Sequence, residues 1–240
     1  MENQPRNRER KSDFEIPFGL LRLIAWLLLR PFFGFEVRGL HHLKACRGGV
    51  ILAGNHTGFL DSLAVLVSCS RYFRFMMTEE VFGWGTIGRL VPYGNIIPLY
   101  KGREKRALLD AIRALQGNGI ICIFPEGQLT QDGELNPFHE GVAYLQEKSG
   151  GAIVPFAIHG GFEAWPQVRK LPSFRKVILE FGEPLPASEI TVTPAENRAK
   201  VVRALEYSVM ALKASLDRPA LAYPAFIPIS RPMSGDWIES

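Results

Sequence analysis

Two hydrophobic rhythms alternate along the chain. Short runs that are apolar at nearly every position, GVILAG at 49–54, FRFMM at 73–77, IIPL at 96–99 and IICIF at 120–124, suit strands covered on both faces. IVPFAI at 153–158 and KVILEF at 176–181 continue the series. Between them, apolar residues return every three or four positions. Leu108, Leu109, Ile112 and Leu115 do so within Glu104–Leu115, and Val202, Leu205, Val209, Leu212 and Leu216 do so after Pro194. Further helices are predicted over Leu60–Val67, Glu79–Leu90 and His139–Gln146. Apolar strands separated by helices predict an α/β domain whose mixed, largely parallel sheet is covered by helices.

The first 35 residues are different. Residues 1–13 are polar, with Arg6, Arg8, Arg10 and Lys11, and read as a disordered basic tail. Residues 14–35 are apolar and aromatic, broken by Arg22, Arg30 and Pro31. No small-residue cleavage site follows them, so they do not read as a signal peptide. Only seven apolar residues stand in a row between the two arginines, against about 20 for a spanning helix. A helix lying in the membrane interface, cations at the headgroups and Leu, Ile, Trp and Phe in the acyl boundary, fits this composition. A helix docked on the domain and a true span are the other readings. Pro31 should kink or end that helix. The α/β domain is expected over 36–218, followed by an irregular tail over 219–240 that holds four prolines.

Composition adds little by itself. The hydrophobic fraction of 47% is reached before the 23 Gly are counted, against roughly 45–50% with Gly included in ordinary soluble domains. That leans toward an apolar surface as well as an apolar core. A formal charge of +4 suits anionic partners without choosing among them. The cations are not interleaved with aromatics in a nucleic-acid module, so no nucleic-acid partner is expected. Cys46, Cys69 and Cys122 have neither metal-ligand nor redox spacing. A reducing compartment is the default, and no bound metal or cofactor is expected.

The candidate chemistry sits where strands end. His56 follows the 49–54 run directly, and Asp61 comes five residues later in NHTGFLD. In a regular helix these side chains would diverge by about 140°, so they meet only if the chain turns between them, and Gly58 permits that. Asp61 in a first helical turn would then accept from the imidazole, fix its tautomer and leave the other ring nitrogen free to take a proton. No nucleophile-elbow pattern surrounds Thr57 or Ser62, so a substrate hydroxyl activated by His56 is the simplest nucleophile. The competing reading is a capping or core arrangement. In the second segment, FPEGQLT at 124–130, Glu126 either faces the mouth of the sheet or lies exposed in a plain turn.

Together these segments resemble the glycerolipid acyltransferase family, which includes the 1-acylglycerol-3-phosphate acyltransferases. NHTGFLD and FPEGQLT are similar to its first and third signature blocks, GNIIPLYK at 94–101 to its second, and VPFAI at 154–158 to its fourth. The resemblance runs from about Phe14 to Phe181, in family order. It implies that His56 is the base, that Asp61 orients it, and that Glu126 and Gly127 help bind a glycerol phosphate. It also implies transfer of a fatty acyl group from acyl-CoA or acyl carrier protein, as co-substrate, to a lysophospholipid hydroxyl. The partners would be those two substrates, an anionic membrane surface and acyl carrier protein. The protein would be membrane-associated and monotopic, its site facing the cytoplasm.

Two of the blocks depart from the family. Its third block ordinarily continues Glu-Gly-Thr-Arg-Ser, and here the Thr and Arg positions hold Gln128 and Leu129. The arginine of its second block falls near Tyr100 and Lys101. Both arginines are associated in the family with the acceptor's phosphate, and Leu removes a bidentate donor outright. Lys101 and Arg103, with Lys105 and Arg106, would supply positive charge instead, unless they form only a solvated helix face. A lysophospholipid with a diester headgroup, such as 2-acylglycerophosphoethanolamine, asks for less charge and is the alternative acceptor. An inactive membrane-binding scaffold and a hydrolase using water are the rival functions.

Overall fold

The six apolar runs lie side by side in one sheet. The structure is a computed structural model that describes residues 18–69, 71, 73–83, 95–185 and 193–215. Its strands are β1 (Glu36–Arg38), β2 (Val50–Gly54), β3 (Phe73–Thr78), β4 (Ile96–Leu99), β5 (Ile120–Ile123), β6 (Ala152–His159) and β7 (Ile178–Phe181). They form one seven-stranded sheet in the order β1-β7-β6-β2-β5-β3-β4. Strands β2 to β6 run parallel to their neighbours, while β7 is antiparallel to β6 and carries β1 parallel to itself. The sheet is therefore mixed and largely parallel.

Alternation along each strand feeds two cores. Val50, Leu52, Ile120, Cys122, Val154 and Phe156 face one side. Ile51, Ala53, Ile121, Ile123 and Ile153 face the other. On the first side lie α1 (Phe18–Phe33), α2 (Leu40–Ala45), α3 (Asp61–Ser68) and the one-turn α6 (Gly161–Ala164). The second side is covered by α4 (Glu104–Gln116), α5 (Gly141–Ser149) and α7 (Pro194–Ser215). Helix α7 starts on a capping box. Thr193 Oγ1 accepts from Glu196 N at 3.4 Å, and Glu196 Oε2 accepts from Thr193 N at 3.2 Å, with Pro194 at the first helical position.

Pro155 sits inside β6 without breaking it. Its carbonyl accepts from Gly182 N at 2.8 Å, just past the end of β7. A residue's N and C=O point to the same side of a strand, so the missing N–H faces that end and no bond to β2 is lost. Three short elements, β1, α2 and α6, have no counterpart in the sequence pattern. The helix expected over Glu79–Leu90 is a 3-10 turn over Glu79–Gly83, and 84–90 lie outside the described residues. So do residues 1–17 and 216–240, which include the basic tail and the Pro-rich tail.

Helix α1 is docked and exposed at once. Ala25, Leu29 and Phe33, at steps of four, are buried against the first core, and Arg22 Nε donates to Val67 O of α3 at 3.4 Å. The rest of the helix turns Leu20, Leu23, Ile24, Trp26, Leu27, Leu28 and Phe32 outward. Arg30 lies 5.3 Å above the Trp26 ring. Pro31 is accommodated in the last turn and does not end the helix. No helix among the described residues is long and apolar enough to cross a membrane.

Phe156 is wholly buried and lies edge-on to both Phe124 and Phe181, ring centroids 5.9 and 6.3 Å away. Phe156→Ala is expected to lower unfolding stability by about 3–5 kcal/mol, read as a shift of the urea midpoint at constant slope.

Candidate active site

Parallel neighbours β2 and β5 end at the same edge of the sheet, and each releases a loop there. Crevices outside the carboxyl ends of parallel strands are the usual ligand sites of open α/β sheets. The β2 loop is shaped by one carboxylate. Asp61, at the first position of α3, is fully buried. Its Oδ2 accepts from Thr57 N at 2.5 Å, Gly58 N at 2.8 Å and His56 Nδ1 at 2.9 Å, while Oδ1 accepts from Thr57 Oγ1 at 3.2 Å. The turn needed to bring His56 to Asp61 is thus drawn around the carboxylate itself. An ionised Asp is acceptor-only, so the imidazole proton belongs on Nδ1. Nε2 is left with its lone pair and no hydrogen-bond partner among the described residues.

His56 is held on every side but that one. Its ring stacks on Phe124, centroids 3.9 Å apart and planes within 11°. Its backbone N–H donates to Glu126 Oε1 at 2.6 Å, and its carbonyl accepts from Thr130 N at 2.9 Å. About 17% of the His56 side chain stays exposed, against none of Asp61, so the ring is reachable where the carboxylate is not.

Glu126 does not lie in an exposed turn. It is 3% exposed, and its second oxygen accepts from Asn136 N and Nδ2, both at 2.9 Å. Burial pushes its carboxyl above the usual value, and the donors from Asn136 and His56 oppose that shift. Gly127, at φ 72°, closes the turn by donating from its N to Phe124 O at 3.0 Å, which folds Glu126 back beneath His56. A side chain at Gly127 would also meet the His139 ring at 3.1 Å.

The remaining sequence-predicted residues lie apart. Lys101 and Arg103 occupy an exposed turn after β4, closed by Arg103 N donating to Tyr100 O at 2.9 Å. Strand β4 is three strands from β2, about 14 Å along the sheet at ordinary spacing. Neither cation touches His56, Asp61 or Glu126 among the described residues. Gln128 is exposed, and Leu129 is buried as a packing residue.

Several contributors were not singled out in the sequence. Asn55 clamps β6 through both amide atoms, Nδ2 donating to Ile158 O at 2.9 Å and Oδ1 accepting from Ile158 N at 2.7 Å. Gly161 permits close approach: a methyl there would lie 2.4 Å from Thr57 Oγ1 and 2.7 Å from Asp61 Oδ1. Their signals were local and weak, a polar residue directly before His56 and a Gly pair directly after an apolar strand. Among the described residues, no group of three His, Cys, Asp or Glu side chains is gathered as for a metal ion.

Comparison with known proteins adds an independent line. The sequence profile of the acyltransferase family matches residues 34–159. A chloroplastic 1-acyl-sn-glycerol-3-phosphate acyltransferase of Arabidopsis thaliana is 25% identical over 192 residues, covering 78% of this chain and 53% of that protein. The human 1-acyl-sn-glycerol-3-phosphate acyltransferase beta is 25% identical over 179 residues, 71% of this chain and 64% of its own length. The chain thus spans about half the length of the Arabidopsis relative. In fold it is similar to the crystal structure of the 1-acyl-sn-glycerophosphate acyltransferase PlsC from Thermotoga maritima, with a TM-score of 0.66 and 24% identity over 84% of this chain and 82% of that one.

Gly161→Ala is expected to force Thr57 and Asp61 apart at a loss of about 1–3 kcal/mol in stability. NMR of the His56 ring should then lose its hydrogen-bonded Nδ1 proton signal. An unchanged signal with unchanged stability would refute the packing role given to Gly161.

Proposed function

Because the chain belongs to the acyltransferase family, we propose that it transfers a fatty acyl group from an acyl thioester to the free hydroxyl of 1-acylglycerol-3-phosphate, giving phosphatidic acid. The observation that carries this reading is a reachable imidazole whose Nδ1 is tied to a wholly buried carboxylate, leaving Nε2 as a base.

The steps balance without a protein nucleophile. His56 Nε2 takes the acceptor's hydroxyl proton as that oxygen attacks the thioester carbonyl. The new C–O bond gives a tetrahedral intermediate. Its collapse breaks the C–S bond, and the departing thiolate recovers the proton from the imidazolium. Asp61 stays ionised throughout and stabilises the imidazolium. The donor is acyl-CoA or an acyl thioester of acyl carrier protein.

Two further parts of the reading concern surroundings. The outward row of α1 side chains, from Leu20 to Phe32, supports seating on one leaflet of an anionic membrane, with the site facing a reducing cytoplasm. Glu126, Gly127, Lys101 and Arg103 are the family-derived acceptor-binding candidates. Glu126 supports that role indirectly, by fixing the His56 backbone. The exposed turn of Lys101 and Arg103 would serve only a headgroup reaching toward β4.

One observation favours a second acceptor. Leu129 is buried where the family ordinarily holds an arginine, and a diester headgroup, as in 2-acylglycerophosphoethanolamine, requires less positive charge than a phosphomonoester.

Purified full-length protein, labelled acyl-CoA and a panel of lysophosphatidic acid and diester lysophospholipids test both readings. Lysophosphatidic acid should be acylated with the highest kcat/KM; preference for a diester acceptor would establish the second reading. Asp61→Asn should lower kcat by roughly 100- to 10,000-fold, and His56→Ala should abolish transfer. Undiminished transfer in His56→Ala would overturn the mechanism, and fatty acid release without any acceptor would indicate a hydrolase.

A further inference from the structure

A second element shares the side of the molecule occupied by α1, and the chemistry above does not use it. The chain leaves α6 through Trp165 and crosses residues 166–176 before reaching Val177 and β7. This stretch reads PQVRKLPSFRK, with Arg169, Lys170, Arg175 and Lys176 and no acidic residue. Its three large apolar side chains point outward: Val168 is 83% exposed, Leu171 75% and Phe174 71%. Each is more exposed than any described large apolar side chain of α1.

The loop holds this shape by its own bonds. Arg169 Nη1 donates to Glu163 O at 3.0 Å and Ser173 Oγ at 2.7 Å, and Trp165 Nε1 donates to Arg169 O at 3.0 Å. Ser173 N donates to Ala164 O at 2.7 Å. The outward apolar side chains therefore belong to a built conformation. Phe174 lies 5.6 Å from the Phe32 ring and 6.0 Å from the Phe33 ring, centroid to centroid, so the apolar surface is continuous with α1.

Behind these side chains a cleft of about 490 Å³ opens between the loop and α6. Arg169, Arg175 and Lys176 line it together with one carboxylate, Glu163, and with Phe162, Pro166 and Ser173. Lys176 is shared with Glu36 at 2.7 Å, while the Arg175 guanidinium has no hydrogen-bond or ion-pair partner among the described residues. Cations around a cleft, flanked by outward apolar side chains, complement a molecule that is anionic at one end and apolar beside it. Arginine forks suit phosphate oxygens in particular.

We propose that residues 166–176 form a second membrane contact, whose cleft takes the phosphate of an anionic bilayer phospholipid while Val168, Leu171 and Phe174 enter the acyl boundary beside α1. The proposal rests on the reading of the chain as a lipid-surface enzyme. A bilayer lipid is favoured over the acceptor because the apolar side chains face outward with α1, and no cation of the loop touches His56 or Asp61.

Co-sedimentation of the full-length protein with phosphatidylcholine vesicles, with and without phosphatidylglycerol, is the test. Arg175→Gln/Lys176→Gln should bind phosphatidylglycerol-containing vesicles about 25-fold more weakly, two cations each contributing roughly a fivefold factor at such a surface. Its binding to phosphatidylcholine alone, which rests on the apolar side chains of α1 and of the loop, should not change. Arg175→Lys/Lys176→Arg should restore binding. Lys200→Gln/Arg203→Gln, an equal loss of charge on α7 across the sheet, should bind as the parent does. Parental binding by the 175/176 double variant, or equal weakening by the α7 variant, would overturn the proposal. So would intact vesicle binding with a raised KM for a water-soluble short-chain lysophosphatidic acid, which would make the cleft an acceptor seat. Intact vesicle binding with selective loss of transfer from acyl carrier protein would make it a protein-docking surface and would equally overturn it. Leu23→Ser/Leu27→Ser separates the two readings: if it leaves binding to both kinds of vesicle unchanged, the α1 reading fails by itself.

Discussion

A carboxylate with no access to water organises the centre of this protein. An ionised carboxylate buried without partners costs several kcal/mol, so a chain that buries one must bring donors to it. Asp61 receives four hydrogen bonds, all from His56, Thr57 and Gly58. Two are backbone N–H groups, which obliges the 56–58 segment to curl over the start of α3. The third donor is the imidazole, and the reactive geometry is a consequence of that requirement. Asp61 also opens α3, where a negative charge is favoured by the helix dipole.

Glu126 does the same work one strand away, with a different result. Its two oxygens bridge the His56 backbone and Asn136, tying the β5 loop to the β2 loop. With Phe124 stacked beneath the ring and Thr130 holding the His56 carbonyl, the imidazole is fixed in position as well as in tautomer. Such fixation matters for a base that must meet a hydroxyl at hydrogen-bond distance. It also means that the 124–130 segment lies largely beneath the imidazole. Only Gly127 and Gln128 of that segment stay exposed, and Leu129 has joined the core.

The same helix links chemistry to surface. The N-terminus of α3 carries Asp61, and its flank receives α1 through Ala25, Leu29 and Phe33. Removing residues 1–35 would therefore take core side chains along with the exposed ones, and surface substitutions are the cleaner probe of lipid contact. The loop after α6 extends the apolar face by way of Phe174, and α6 itself approaches the turn around Asp61 through Gly161. The exposed apolar face and the His56–Asp61 pair are thus contiguous pieces of one side of the sheet.

Much of this was legible in the chain alone. The central strands β2, β5 and β6 are buried on both faces, so burial wrote them as unbroken apolar runs, and α4 and α7 repeat at helical spacing for the opposite reason. His56 and Asp61 are five residues apart, and a local turn suffices to join them. What the sequence could not disclose was nonlocal or short. Glu36–Arg38, Leu40–Ala45 and Gly161–Ala164 are too brief and too polar to show a period, and the antiparallel direction of β7 leaves no mark on its composition. Glu126 lies 70 residues from His56 and meets it only because β2 and β5 become neighbours, while Lys101 and Arg103 stand apart because β4 lies at the sheet's far edge. Periodicity records what each segment buries; which strands lie together, and so which polar groups find one another, is decided only when the two cores close.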